Sequence, residues 1–346
     1  MCDALHCKLA LFMDEHPSLM PAFVLPFRPV LMLRSLFCLL LAVSFVRAQA
    51  PGEPVHLILD TDIGNDVDDA LALAMIHAFE SRGEVRLLAV TVTKDNRYAP
   101  AFVDFVNAFY GRPNIPIGVV HNGKTPEDSA MLKVAPLRPD RTYPEAVELL
   151  TRVLSGEPNG AVTIAQIGFS TNLARLVASA AGRRLVQEKV KTLYLMAGNF
   201  VQPKPEYNVA TDADSFRALM EHWPTPIIFS GFEIGLEIPF PYQAILKDFR
   251  YTSRHPIVEA YKTYVGKVAD RPNWDSTAVL EAVRPDRDYF AFSAPGRVTL
   301  GPKNTTVFKP DPKGNCRYLI LKPDRAAAIR ELIATLVSEP PQRASK

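Results

Sequence analysis

Residues 55–79 read VHLILDTDIGNDVDDALALAMIHAF. Val55–Leu59 is a short apolar run of strand length. Residues 60–69 then place five carboxylates, Asp60, Asp62, Asp66, Asp68 and Asp69, in ten positions. From Asp68 to Phe79 the spacing turns helical, with Leu71, Met75 and Phe79 on one face. Strand, polar loop and helix in that order make the repeating unit of a parallel sheet covered by helices.

The downstream chain repeats the unit. Strands are expected at Val85–Val92, Ile115–Val119, Ala161–Ile167, Val190–Met196 and Pro226–Ser230. Helices are expected at Ala99–Tyr110, Tyr143–Leu154, Asn172–Ala180 and Asp212–Met220. In Ala99–Tyr110, the residues Phe102, Phe105, Val106 and Phe109 are expected to face inward. From Pro239 the pattern becomes more helical, with Ile257–Val268 and Asp275–Val283, and strands return at Arg297–Leu300 and Tyr318–Leu321. The fold class is α/β: a Rossmann-like, mostly parallel central sheet flanked by helices, with a helical C-terminal elaboration. Residues 51–346 read as one domain. In such sheets ligands collect beyond the carboxyl ends of the strands. The acidic loop, Asp95-Asn96, Gly168 and Gly198-Asn199 all fall there.

Composition narrows the function. The 346 residues carry 39 Lys+Arg and 37 Asp+Glu, with 48% hydrophobic and 22% charged residues, which is ordinary for a globular protein. A net charge of +2 is too balanced for a protein that grips a polyanion by counterion release, so nucleic acid is not an expected partner. The first fifty residues differ in kind. Arg34 precedes the 11-residue run Leu36–Val46, LFCLLLAVSFV, and Ala48-Gln49-Ala50 follows. That is the pattern of a secretory signal peptide with a start at Met32, too short for a comfortable membrane span. Export to the periplasm or medium is expected, with no stable membrane span after cleavage. Of the four cysteines, Cys2, Cys7 and Cys38 lie in this segment and only Cys316 would remain, so no intrachain disulfide is expected.

Five crowded acids repel one another, and a divalent cation removes that cost. Oxygen-only ligands favour a hard cation, calcium or magnesium. Helix capping accounts for Asp68 and Asp69 but not for the other three acids. An EF-hand loop counted from Asp60 fails, because position six is Asn65 and position twelve is Leu71. A haloacid-dehalogenase-like, Mg²⁺-dependent phosphatase would use Asp60 as nucleophile and Asp62 as acid, but it needs a late acidic pair that is not evident.

The string resembles the N-terminal signature of the nucleoside hydrolases, the inosine–uridine-preferring N-ribohydrolase family, with Ile63 in place of Pro and two additional residues before Asp68-Asp69-Ala70. Four further segments resemble family motifs in the family order: Thr91–Asn96, Ile164–Leu173, Met196–Asn208 and Asn273–Val279. The resemblance implies hydrolysis of the N-glycosidic bond of ribonucleosides, with Ca²⁺ held by Asp62, Asp69, Asp275 and the Ile167 carbonyl. Asp62 is then also the base that activates water. Asn96, Asn199, Glu206 and Asn208 would bind ribose together with Asp68, when the count is anchored on Asp-Asp-Ala, or Asp66, when it runs from Asp62. Trp274 stands where many relatives carry His, and a broad indole face there implies a preference for purine nucleosides. Relatives are commonly dimers or tetramers, so a homodimer or homotetramer is expected. A non-catalytic ribose- or calcium-binding protein on the same fold is the remaining alternative.

Overall fold

The computed structural model describes residues 52–122, 124, 125 and 129–342. The signal-peptide segment and the Met32 start lie outside these residues. The first strand, β1 (Val55–Thr61), is followed by α1 (Asp68–Ser81), β2 (Val85–Val92), α2 (Tyr98–Phe109), β3 (Ile117–Val119) and α3 (Ala146–Gly156). Then come β4 (Val162–Gln166), α4 (Thr171–Ala178), α5 (Ala180–Lys189), β5 (Val190–Met196), α6 (Tyr207–Thr211), α7 (Ala213–His222) and β6 (Ile227–Ser230). Four helices follow: α8 (Phe232–Glu237), α9 (Tyr242–Lys247), α10 (Pro256–Val265) and α11 (Asp275–Val283). The chain closes with β7 (Phe290–Phe292), β8 (Gly296–Leu300), β9 (Thr306–Pro310), β10 (Cys316–Leu321) and α12 (Ala326–Val337).

The strand order is β3-β2-β1-β4-β5-β6-β10-β8-β9, with β7 paired to β10. Pairs from β3 to β10 are parallel, whereas β8 and β7 run antiparallel to β10, and β9 antiparallel to β8. The mostly parallel sheet is therefore as expected. The helical elaboration occupies residues 232–283, and beyond it the chain returns to the sheet through β10. In β1, Leu57, Ile58 and Leu59 are all buried, because helices cover both faces and neither side of the strand meets water.

Two apolar layers lie on opposite sides of the sheet. One gathers residues of α1, α2, α10, α11 and α12; the other gathers residues of α3, α4, α5 and α7. Helix α1 is buried from Asp68 to Phe79, since α11, α12, α10 and α2 all pack on it. The face marked by Leu71, Met75 and Phe79 is thus only part of its contact surface, as in any helix apolar all round. In α2, Phe102 and Val106 are fully buried while Phe105 and Phe109 pack at the edge of the layer. Among the described residues, no helix is long and apolar enough to cross a membrane.

The sheet order sets the location of the site. Strand β1 lies between β2 and β4; the chain runs outward from β1 through β2 to β3 and then crosses back to β4, so a crevice opens at the carboxyl ends of β1 and β4. The register aligns those ends: Asp60 pairs with Thr91 on β2 and with Gln166 on β4.

Candidate active site

The acidic loop turns immediately beyond β1. Gly64 has φ of +112°, and a Cβ there would lie 2.5 Å from Leu132 Cδ1. Only glycine accommodates both the dihedral and the contact. Across the crevice, a Cβ on Gly168 would lie 2.4 Å from the Asp62 backbone nitrogen and 2.7 Å from Thr93 Oγ1. The loop after β4 therefore presses backbone to backbone against the acidic loop, and Ile167 N donates to the Asp60 carbonyl at 2.7 Å.

A cavity of about 350 Å³ opens here, within the range of small-molecule sites. Its walls fall into three groups. Asp62, Asp66, Asp68, Asp69, Asp275 and Ile167 form an acidic end. Glu206, Asn208 and Met196 form a polar side, and Phe232, Tyr264, Arg271 and Trp274 form an aromatic and cationic rim.

At the acidic end, Asp68, Asp69 and Asp275 are buried and offer oxygens that lie within 4.8 Å of one another. Burial, reinforced by neighbouring carboxylates, pushes Asp68 up to about 8 and holds Asp69 and Asp275 well above the usual carboxylate range. Burial also pushes Asp62 up to about 6, against the pull of its hydrogen bond from Asn65 and of nearby Lys94. Asn65 Nδ2 donates to Asp62 Oδ2 at 2.5 Å, and Lys94 Nζ donates to Asn65 Oδ1 at 2.8 Å. Thr61 Oγ1 donates to Asp69 Oδ1.

Asp68 has a second task. Its Oδ2 accepts from the backbone N–H of Trp274 at 2.9 Å and of Asp275 at 3.2 Å, at the start of α11. Asp275 does not cap its own helix through its side chain; the cap comes from α1, which joins the amino ends of two helices at one point. Both positive helix ends face the carboxylates and offset part of their repulsion. Mutually repelling, buried, oxygen-only donors fit a hard cation. Asp69 and Asp275 belong to the expected ligand set. The three-acid cluster includes Asp68, with Asp62 and Ile167 beside it on the cavity wall.

On the polar side, Glu206 caps α6. Its Oε1 accepts from Asn208 N at 2.8 Å, and its Oε2 accepts from Gly198 N and Val209 N at 3.1 Å each. Burial raises its carboxyl to about 7 even against these bonds. Asn208 Nδ2 donates to the carbonyls of Ile167 at 3.0 Å and Met196 at 3.1 Å, so one side chain links the ends of β4 and β5.

Two expected ribose contacts are not brought to this cavity. Asn96 accepts from Tyr98 N and Ala99 N with Oδ1, capping α2, and lines a neighbouring cavity. From the same segment Lys94 is the residue that reaches Asn65. Asn199 Oδ1 accepts from Val201 N and Gln202 N, closing a turn outside the cavity wall. Asp60, the nucleophile of the phosphatase alternative, is fully buried and is not on the wall. Its Oδ1 accepts from Thr91 Oγ1 and Asn172 Nδ2, which makes it a brace between β1, β2 and α4.

At the rim, Arg271 pairs with Asp66 through Nε and Nη2. Its guanidinium lies 5.4 Å from the Tyr264 ring centre and 5.7 Å from that of Trp274. Trp274 stacks on Phe232 at 5.5 Å and 20°, and its Nε1 donates to the Phe232 carbonyl at 2.8 Å. Asn65, Phe232 and Arg271 also line the cavity, and nothing in the sequence marks them as site residues. Arg271 lies only four positions before Asp275, but its partner Asp66 is 205 residues away, and no local pattern carries that pairing.

A family model for inosine-uridine preferring nucleoside hydrolases matches residues 57–307. Comparison with curated proteins gives no match. Among solved structures, a plant nucleoside hydrolase superposes with a TM-score of 0.65 at 20% identity, covering 83% of this chain and 98% of that one. A purine-preferring ribonucleoside hydrolase from Gardnerella vaginalis gives 0.64 at 18% identity over 82% and 98% of the two chains. An inosine-uridine preferring nucleoside hydrolase from Bacillus anthracis gives 0.60 at 18% over 81% and 99%. At these identities the superpositions show a shared fold. The family model spans most of the chain, from β1 into β9, and on that match the protein belongs to the inosine-uridine preferring nucleoside hydrolase family, a group of glycosidase-type hydrolases.

Proposed function

We propose that the protein cleaves the N-glycosidic bond of ribonucleosides to ribose and free base, that it favours purine nucleosides, and that it works with Ca²⁺. The observation that carries this reading is the convergence of Asp62, Asp68, Asp69, Asp275 and Ile167 on one wall of a cavity whose other walls are polar and aromatic. Asp62, Asp69, Asp275 and the Ile167 carbonyl would hold the cation, with Asp68 adjoining. Such a cation, when bound, polarises water and sugar hydroxyls.

The chain's own groups do the rest. Asp62, on the cavity wall, accepts a proton from the attacking water. Asp68, Glu206 and Asn208 hold ribose hydroxyls and so fix the anomeric carbon, with Asp66 at the edge of the same wall. The surrounding carboxylates stabilise positive charge that develops on the sugar. The base then lies toward Trp274, Tyr264 and Phe232. A purine offers these rings more area than a pyrimidine, which supports the purine preference.

Release of free base and reducing sugar from inosine, adenosine and uridine tests the reading, with a phosphate-ester panel as the control for phosphatase chemistry. Activity on inosine and adenosine above uridine, abolished by chelator and restored by Ca²⁺, is expected. Binding without turnover would instead mark a ribose-binding protein. Export is part of the proposal: N-terminal sequencing of mature protein should begin at or within a few residues of Pro51, and a chain that still starts at Met1 or Met32 would overturn it.

A further inference from the structure

We propose that Arg271 receives the departing base, stabilising the negative charge that collects on it as the glycosidic bond breaks. The inference rests on the nucleoside-hydrolysis reading and assigns a role that reading leaves open. Cleavage sends the bonding electron pair onto a nitrogen of the base, while the water that attacks the anomeric carbon gives its proton to Asp62. The base leaves as an anion and takes a proton from solvent, and Asp62 gives its proton back to solvent, so one water adds across the bond and no other reactant is needed.

An anion leaving a cavity lined by six carboxylates meets repulsion unless a cation stands on its exit side. Among the described residues on the cavity wall, Arg271 is the one cationic side chain, and no histidine is present there. A phenol is a poor substitute donor, since burial pushes the Tyr264 hydroxyl up to about 12. Glu206 already has both oxygens engaged by backbone N–H groups. A guanidinium does not release a proton near neutral pH, so Arg271 acts by charge and hydrogen bonding rather than as a general acid.

The residue is also held in place. Its backbone exchanges two hydrogen bonds with Phe240, at 2.7 and 3.2 Å. Asp66 grips Nε and Nη2, which leaves Nη1 outside the pair. The planar group lies against Tyr264 and Trp274, the same rings proposed to flank the base. A fixed donor that costs no reorganisation during the reaction is the arrangement that stabilises developing charge.

The test compares leaving groups. The purine base of inosine departs as a poor anion, whereas 4-nitrophenyl β-D-ribofuranoside releases a phenolate that is stable without help. Arg271→Gln should lower kcat/KM for inosine by about 10²–10³, the usual effect of removing one such donor, and lower it for the nitrophenyl riboside by less than about tenfold. Arg271→Lys keeps the cation and loses the fork, so its inosine loss should be clearly smaller than that of Arg271→Gln. Equal losses on both substrates, no loss on inosine, or a lysine variant as poor as the glutamine variant would each overturn the assignment. If wild-type protein cleaves neither substrate, it is the hydrolase reading that fails. Thermal melts of both variants separate an unfolded protein from a chemical effect, and the lysine variant carries the comparison if the glutamine variant does not fold.

Discussion

Gly168 and Asp62 meet where the loop after β4 touches the loop after β1, and each sets a condition on the chemistry. A methyl group on Gly168 would lie 2.4 Å from the Asp62 nitrogen, a backbone atom that cannot rotate away. Gly168→Ala should therefore displace either Asp62 or the Ile167 carbonyl. Displacement of about 1 Å costs catalysis about 10²-fold, so kcat/KM for inosine should fall by about that factor while the circular dichroism spectrum stays native. Activity within a few-fold of wild type would mean that the two loops are not held in register by this contact. Asp62→Asn is the sharper change. It keeps the shape and an oxygen, removes the proposed base and one charge, and should lower kcat by about 10²–10⁴. A near-wild-type rate for this variant would transfer the base role to Asp66 or Asp68. Much of this was legible in the sequence, because acids in a short loop after a strand stay together whatever the fold does. Asn96 and Asn199 were not, since an asparagine after a strand closes a turn or caps a helix as readily as it binds a sugar. Here Tyr98 N, Ala99 N, Val201 N and Gln202 N take up their side-chain oxygens.

Helix α11 shows how elements carry the site. It begins at Asp275 in the acidic cluster and ends at Val283, capped by Arg284, whose Nε and Nη2 hold both oxygens of Glu84 at 2.6 and 2.7 Å. The guanidinium also covers the Phe79 ring at 4.8 Å. One end of the helix is thus fixed by Asp68 from α1, and the other by the turn that joins α1 to β2. Arg284→Ala loses a bidentate pair and the packing of the side-chain stem, and should destabilise the fold by about 1–3 kcal/mol in urea unfolding. A change under about 0.5 kcal/mol would show that α11 is held by its apolar face alone. The parallel strands were readable because each is an apolar run of strand length bounded by polar turns. The helix expected at Asn172–Ala180 proved to be the first of two. Ser179 is extended and caps α5 by accepting from Gly182 N at 3.0 Å, and α5 itself is polar enough to pass for loop. The return through β10 was visible only as a short strand. Its position next to β6 depends on long-range pairing that local patterns do not encode.

Across the whole molecule, buried titratable groups give the two forms of the protein different responses to pH. His77, which stacks on Tyr110, and His255, which caps α10, are held neutral by burial, and His255 is lowered to about 3. An unfolded histidine titrates near about 6.5. Stability from these two groups is therefore complete above that value and is lost as pH falls below it. The site carboxylates act in the opposite sense when no cation is bound. Asp62 is raised to about 6 and Asp68 to about 8, and burial and mutual repulsion hold Asp69 and Asp275 well above the usual carboxylate range. Unfolded aspartates titrate near about 3.9, so between about pH 4 and pH 8 the folded chain binds more protons than the unfolded one. By linkage, stability of the chelated protein from these groups falls as pH rises through that window. A bound divalent cation holds the carboxylates ionised and removes this penalty. The histidine contribution is common to both forms and cancels in the difference between them. The rise in Tm on replacing chelator with saturating Ca²⁺ should therefore be larger at pH 8 than at pH 5. Differential scanning calorimetry of the chelated and Ca²⁺-saturated protein at the two pH values measures it. An equal rise at both, or a larger one at pH 5, would mean that the buried aspartates do not share a cation.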